Sequence, residues 1–442
     1  MADPTLTPRT VADAGLCIGC GACAGESGLL DWNRFGQLEP QGGWATAPHP
    51  SLDRVCPFSP LARNEDAIAE TRFAAAPEQD VRIGRFEANY VGHAAEDPFR
   101  ARGSSGGMVS WVAAELLRRG LIDGVAHVVP ADPVEDGRFF RFRIARSEAE
   151  ILEGAKSRYY PVDLSAVLAE IRATPGRYAV VGIPCFIKAI HLLRAEEPLL
   201  RERVAYTLGL FCGHMKSARF VESFAWQLDA PMPDVRAVDY RRKAPDRPAN
   251  WYTAHLTLAD GTARWQDWWH LVDGDWGGGF FQHSACDYCD DVVAETADIA
   301  FGDAWVEPYS SDGRGTNVVI VRSPELREII GAGIVDGRAA LSPVDADFVA
   351  ETQAAGLRQR REGLAYRLRI APPALPLVKR VPPGGRTLPI RRKLLYRSRR
   401  WISILSHRIF ALARATGEPR LYVTWARWTL RAYRRLAYGR AA

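Results

Sequence analysis

The chain has 442 residues, 47% of them hydrophobic and 25% charged, with a formal net charge of +5. This is the balance of a globular protein with a sizeable core, long enough for two or three domains. No window approaches the roughly 18 consecutive apolar residues of a spanning helix. The opening stretch "MADPTLTPRTVADAG" is polar and has no secretory pattern, so the expected location is the cytoplasm.

The first motif is "LCIGCGACAG", residues 16–25, with Cys17, Cys20 and Cys23 at C-x2-C-x2-C spacing. Three thiolates this close form a metal site that lacks one ligand. Cys56, followed directly by Pro57, supplies the fourth, and such a run closed by Cys-Pro is the ligand pattern of ferredoxin-type 4Fe–4S clusters. Gly19 and Gly21 allow the backbone to wrap tightly and aim N–H groups at the sulfurs. One feature departs from the compact pattern: Cys56 lies about thirty residues after Cys23, where a two-cluster ferredoxin has about three. The module is therefore a one-cluster variant or half of a degenerate pair. Structural zinc and free thiols are the alternatives, although zinc ligands usually come as two separated pairs.

Next in the chain, "RGSSGGMVSWVAAELLRRG" reads as a Gly/Ser loop opening an amphipathic helix, with Met108, Val109, Val112, Leu116 and Leu117 on one face. The free N–H groups and dipole of that helix start suit a phosphate, which Ser104, Ser105, Gly106 and Gly107 would cradle. An ordinary capped helix is the alternative. The loop is not a G-x-G-x-x-G fingerprint, so a nicotinamide site is not indicated. "GAKSRYYP" follows, with Lys156, Ser157, Arg158 and Tyr159 close together. "YAVVGIPCFIKAIHLL" predicts a buried strand, Tyr178 to Ile183, then a helix from Pro184 with Cys185 at its positive end, where a thiolate is favoured. "AYTLGLFCGH" places Cys212 at the end of another apolar strand, and "SACDYCDD" adds Cys286 and Cys289. Taken alone, either single cysteine reads as a small core residue. Both follow strands, however, and with the C-x2-C pair they make a second set of four. A reducing compartment favours metal over disulfides for such sets. Asp260-Gly261 predicts a hairpin turn in an inserted ribbon. The aromatic run "WQDWWHLVDGDWGGGFF" leads into Cys286, either shielding that site or packing a core.

The C-terminal region differs in kind. "VPPGGRTLP" reads as a linker. From Lys379 onward there are 17 Lys and Arg against one acid, Glu418, a net of +16, which leaves −11 on the rest of the chain. Leu394, Trp401, Leu405, Ile409 and Leu412 recur at helical spacing, and Leu421, Trp425, Trp428 and Leu436 do so in a second segment. Basic amphipathic helices with Trp at the boundary suit an anionic membrane surface. Docking on the acidic body or on a partner protein is the alternative. Nucleic acid is not expected, because no binding motif is present.

The stretches "ARGSSGGMVSWVAAELLRRGLIDGVAHV", "GAKSRYYPV", "VVGIPCFIKAIHLL", "LGLFCG", "CDYCDDVVAETADIAFGDAW" and "GRGTNVVIVRS" together resemble the beta-subunit family of coenzyme F420 hydrogenases and dehydrogenases. The family also includes ferredoxin-dependent reductases of chlorophyll precursors. The resemblance implies an oxidoreductase with FAD and one or two 4Fe–4S clusters; with the two sets of four cysteines the expectation is two, one held by Cys17, Cys20, Cys23 and Cys56 and the other by Cys185, Cys212, Cys286 and Cys289. Coenzyme F420 is a further candidate cofactor. The flavin would meet Ser104, Ser105, Gly106, Gly107, Lys156, Ser157 and Tyr159. The redox partner would be ferredoxin or F420, and a homo-oligomer is compatible with it. His214 and Lys188 are the candidates for proton transfer, with structural roles as the alternative.

The expected organisation is an α/β (α+β) redox core with further modules at each end. Residues 1–75 would be a ferredoxin-like module, 80–170 the FAD-binding region, and 171–345 the catalytic region with the second cluster. Residues 346–385 would be a linker and 386–442 a basic amphipathic helical tail. The alternative function is an electron-transfer subunit with no substrate of its own.

Overall fold

Five consecutive buried residues, Tyr178–Gly182, form a strand covered on both faces, as an apolar run without alternation requires. Pro184, which has no N–H to lose at a first helical turn, starts the helix Pro184–Glu196. This computed structural model describes residues 6–25, 28–49 and 51–439.

The strand Tyr178–Gly182 lies inside an eight-stranded mixed sheet. Four central strands are parallel: Gly124–Pro130, Tyr178–Gly182, Val204–Leu210 and Ile299–Asp303. Antiparallel strands extend both sides. Phe140–Ala145 pairs beyond Gly124–Pro130, and Asn317–Val321, Ala88–Ala94 and Ala339–Pro343 follow beyond Ile299–Asp303. The fold is mixed α/β, with helices packed against a large mixed sheet. The predicted helix after the Gly/Ser loop forms as Met108–Arg118 and buries Met108, Trp111, Val112 and Leu116 against Val181, Leu208, Phe301 and Val319 of the sheet.

The Asp260-Gly261 turn joins Thr253–Leu258 to Ala263–Asp267, with Gly261 at φ +79°, in a separate three-stranded sheet with Val235–Arg242. The aromatic run divides. Trp268 is buried in a core with Phe220, Phe224 and Tyr240, while Trp265 and Trp269 are exposed.

Residues 346–385, expected as a linker, instead carry the helices Ala346–Thr352, Ala354–Arg360 and Glu362–Ile370. Their anchors are charged, which composition alone reads as solvated surface. Arg360 and Arg367 are buried, and Arg367 Nε donates to the Asp287 carbonyl at 2.8 Å.

The tail forms two long helices, Ile390–Thr416 and Pro419–Tyr438, with Gly417 at the left-handed turn between them. They pack on the body. Tyr396, Ile402, Phe410, Tyr422, Leu430 and Tyr433 are buried, and Phe410 and Tyr422 lie against Phe281 with ring centres 5.3 Å away. Charge complements this contact: Arg392 pairs with Glu362 at 2.8 Å, Arg414 with Glu222 at 3.0 Å and Arg434 with Asp275 at 3.1 Å. The residues expected on a membrane face divide between the two sides. Leu405, Ile409, Trp425 and Leu436 are half-buried, whereas Leu394, Trp401, Leu412, Leu421 and Trp428 remain exposed. Among the described residues, no helix is long and apolar enough to cross a membrane.

Candidate redox site

The first four cysteines meet around one cavity. Cys17, Cys20 and Cys23 sit on the loop after the helix Pro8–Asp13, and Cys56 caps the short helix Leu52–Val55. All four line the cavity with Ile18, Leu30, Pro40 and Phe58. Gly19 and Gly21 take φ of +64° and +74°. A Cβ on Gly19 would lie 2.6 Å from the Leu38 carbonyl oxygen, so only glycine lets the loop close here. Burial pushes the Cys17, Cys20 and Cys56 thiols up to about 12, against backbone N–H groups of Gly19, Ala22 and Phe58 aimed at the sulfurs. These sulfurs would ionise only beside a strong positive charge, which a bound metal supplies.

The second set converges as the strand ends dictate. Cys185 and Cys212 follow the adjacent parallel strands Tyr178–Gly182 and Val204–Leu210, whose C-terminal ends share one edge of the sheet. Cys286 lies on the short turn Ser284–Tyr288 and Cys289 caps its end. The four line a second cavity with Ile18, Phe58, Met215 and Arg360. The Met215 N–H donates to Cys286 Sγ at 3.3 Å. The helix start was expected to favour a thiolate at Cys185, but burial dominates and the neighbouring cysteines add to it, so this thiol is pushed well up.

Ile18 and Phe58 line both cavities. The two sets are thus neighbours across one apolar wall. Among the described residues, no three His, Cys, Asp or Glu side chains close on the geometry of a single ion.

The Gly/Ser loop is largely satisfied by protein. Ser104 Oγ accepts from the Ser157 N–H at 2.9 Å, Ser105 Oγ donates to the Thr316 carbonyl at 3.0 Å, and Asn317 Oδ1 accepts from the Met108 N–H at 3.1 Å. A Cβ on Gly106 would stand 2.8 Å from both Asn317 N and the Gly92 carbonyl oxygen. That glycine therefore serves close packing against two strands, and a β-branched replacement would disturb the fold before any ligand. What remains for an anion is the first turn beyond the Met108 N–H, which Asn317 holds; Gly107 caps that turn in the left-handed region at φ +82° with no side-chain bond. Cations gather beside it. Lys243 Nζ donates to the Arg100 and Ser105 carbonyls, both at 2.6 Å, and Lys156 lies 3.4 Å from Asp239. Burial pushes Lys243 down to about 7, with Lys156 and Arg100 adding to the shift.

Tyr159 joins an aromatic group, with ring centres 4.8 Å from Trp276, 5.5 Å from Trp268 and 5.6 Å from Tyr240. Trp276 in turn stacks on His214 at 4.2 Å. His214 is buried with both ring nitrogens unpartnered, and burial, then Lys216, holds its pKa well below the usual range. The result is an aromatic run, His214–Trp276–Tyr159, from beside Cys212 to the segment whose Ser157 N–H bonds Ser104 of the Gly/Ser loop. Lys188 lies elsewhere. It is buried in an ion pair with Glu65 at 3.2 Å, next to Cys56.

Sequence reasoning missed Lys243, Arg360 and the shared wall of Ile18 and Phe58. Lys243 and Arg360 lie in segments whose composition carries no signal, since charged residues read as solvated until packing covers them; Ile18 and Phe58 lie beside the cysteines, but only the tertiary structure makes them a wall common to both cavities.

Known proteins share both the sequence pattern and the fold. The family model for the N-terminal part of the coenzyme F420 hydrogenase/dehydrogenase beta subunit matches residues 89–169, and the model for its C-terminal part matches residues 176–347. The coenzyme F420-dependent sulfite reductase of Methanocaldococcus jannaschii is 25% identical over 222 residues, 46% of this chain and 31% of that protein. The chain thus spans about a third of the length of this curated relative. A chain of the F420-reducing [NiFe] hydrogenase complex from Methanosarcina barkeri superposes with a TM-score of 0.50 at 17% identity, covering 66% of this chain and 95% of that one. This last likeness is one of fold.

Proposed function

The chain belongs to the coenzyme F420 hydrogenase/dehydrogenase beta-subunit family, and from that premise we propose an F420-linked oxidoreductase that carries two 4Fe–4S clusters and FAD. The observation that carries this reading is the pair of four-cysteine cavities sharing Ile18 and Phe58. Clusters of this kind exchange single electrons, and a flavin joins them to two-electron or hydride chemistry.

The residues divide the work. Cys17, Cys20, Cys23 and Cys56 would hold one cluster, and Cys185, Cys212, Cys286 and Cys289 the other. N–H groups such as that of Met215 steady the sulfurs. Ile18 and Phe58 keep water out between the sites. The helix start at Met108 and the cations Lys156 and Lys243 would receive the flavin phosphates, with Tyr159 and Trp276 leading from there toward Cys212. The redox partner is ferredoxin or F420. An electron-transfer subunit without its own substrate is the second reading, supported by the likeness in fold to a chain of an F420-reducing [NiFe] hydrogenase complex.

Anaerobically purified protein is expected to carry about eight iron and eight sulfide, since each cluster takes four thiolates, together with FAD. C17A and C185A should each remove about half of the iron. Zinc without sulfide overturns the assignment.

We also propose peripheral attachment to an anionic membrane through the outer face of the tail hairpin. Trp401, Leu412, Leu421 and Trp428 are exposed there among arginines. A basic surface gains about 1 kcal/mol per Lys or Arg held near anionic lipid, and salt screens that gain. Flotation with vesicles containing phosphatidylserine should show binding that weakens at high salt and falls further in W401S/W428S. Equal binding to neutral vesicles, or none, overturns the proposal.

A further inference from the structure

Arg360 comes from the helix Ala354–Arg360, beyond the residues matched by the family models, yet its guanidinium lines the cavity of Cys185, Cys212, Cys286 and Cys289. It is 3% exposed. It donates to the Cys286 carbonyl and, at 2.5 Å, to the Gly213 carbonyl, one bond from each half of the cysteine set. These two bonds tie the loop after Cys212 to the turn that carries Cys286.

The charge of Arg360 stands out more than its hydrogen bonds do. A buried cation is costly unless a counter-charge meets it. Several neighbouring buried cations have carboxylates: Arg367 lies 3.8 Å from Asp287, Lys379 is 3.4 Å from Asp290, and Arg380 pairs with Glu295 at 2.6 Å, while Lys216, without one, donates to the Phe280 carbonyl at 2.5 Å and sits over the Phe220 and Trp276 rings. Among the described residues, no carboxylate lies within 4.0 Å of Arg360. It shares its cavity with the four sulfurs and with Asp291, whose carboxylate accepts from the Val293 and Glu295 N–H groups. Among the described residues no Arg or Lys lines the first cavity, and the cations near it, Arg9 beside Cys17 and Lys188 beside Cys56, are paired with Glu39 at 3.9 Å and Glu65 at 3.2 Å.

We propose that Arg360 is a positioning residue that raises the reduction potential of the second cluster relative to the first. The inference rests on the iron–sulfur reading above. Reduction adds one negative charge to a site already surrounded by thiolates. A fixed cation in a dry cavity stabilises the reduced form more than the oxidised form. The second cluster then becomes the better electron acceptor of the two, on the side where His214, Trp276 and Tyr159 lead toward the Gly/Ser loop.

The test is an EPR-monitored redox titration of the full chain, purified anaerobically, as wild type, R360K and R360Q. Lysine keeps the charge, whereas glutamine keeps a hydrogen-bond donor without it. R360Q is expected to lower one midpoint and leave the other in place, with R360K close to wild type, and the shifted signal should be the one absent from C289A. Midpoints unchanged in R360Q, or both shifted equally, overturn the proposal. If R360Q loses the second cluster, iron content decides. Retention in R360K supports a role for charge, and loss in both variants overturns it. A wild-type chain without sulfide overturns the iron–sulfur reading and this inference with it. A wild-type chain with both clusters whose midpoints ignore R360Q overturns this inference alone.

Discussion

Truncation at Gly385 is expected to yield an insoluble or molten product. The hairpin that would be lost buries Tyr396, Ile402, Phe410, Tyr422, Leu430 and Tyr433. Burying a large apolar side chain contributes about 1.5–3 kcal/mol, so six of them contribute on the order of 10–20 kcal/mol before the entropy of ordering the helices. That is comparable with the whole stability of an ordinary domain, about 5–15 kcal/mol. The loss would also uncover Phe280 and Phe281, both at 0% exposure, and Trp226, which stacks on Phe410 at 4.1 Å. Polar contacts go too: Ser406 Oγ accepts from the Phe281 N–H at 2.9 Å, and Tyr422 donates to Asp273 at 3.0 Å. Expression, near-UV circular dichroism and binding of a hydrophobic dye would show the collapse. A soluble truncated chain with a native spectrum and unchanged melting would mean that the hairpin is an appendage.

Lys188→Met should be the most damaging single replacement outside the cysteines, with a loss of about 3–5 kcal/mol, the cost of leaving a buried charge unpaired. Lys188 lies 3.2 Å from Glu65, with side chains 3% and 5% exposed. Burial alone would raise the Glu65 carboxyl, but Lys188, Lys379 and Arg380 outweigh it and hold its pKa below the usual value. The same network holds Asp290, 3.4 Å from Lys379, beside Cys289. It thereby ties the helix Glu65–Arg72, the helix Pro184–Glu196 and the segment around residue 380 to the second cysteine set. Because the Glu65 pKa is depressed on folding, its contribution is present above the ordinary carboxylate pKa and is lost as pH falls through the folded value. Denaturant midpoints for K188M, E65Q and the double variant would measure the pair. The double variant should recover part of the loss, since it removes both charges. A K188M midpoint within experimental error of wild type would show that the remaining cations satisfy Glu65 without it.

Much of the fold was legible from local pattern. The strand and helix around Pro184, the helix from Met108, the Asp260-Gly261 turn and the two tail helices follow from apolar period, proline, glycine and charge. These signals act over a few residues and survive wherever the segment is placed. The cysteine spacing was legible for the same reason: Cys17, Cys20 and Cys23 must be neighbours in any fold, as must Cys286 and Cys289.

Longer-range facts were not legible. The Gly/Ser loop carried the composition of a phosphate cradle, yet Gly106 is glycine because Gly92 and Asn317 approach it from two strands distant in the chain. Residues 346–385 looked like a linker because their anchors are arginines. Arg360 and Arg367 become core residues only when the cysteine turn supplies carbonyls and charge to meet them.

The residues alone therefore settled which chemistry the chain carries: eight thiols in two sets, an apolar sheet and a basic end. Folding decided the arrangement, with the two cavities back to back on Ile18 and Phe58, a buried guanidinium lining the second, and the basic end fastened to the acidic body. The physical reason is one of range. Backbone preference and side-chain period act within a turn or two of chain. Burial and electrostatic pairing depend on what arrives from elsewhere, and their sign for a charged residue reverses with the partner it meets.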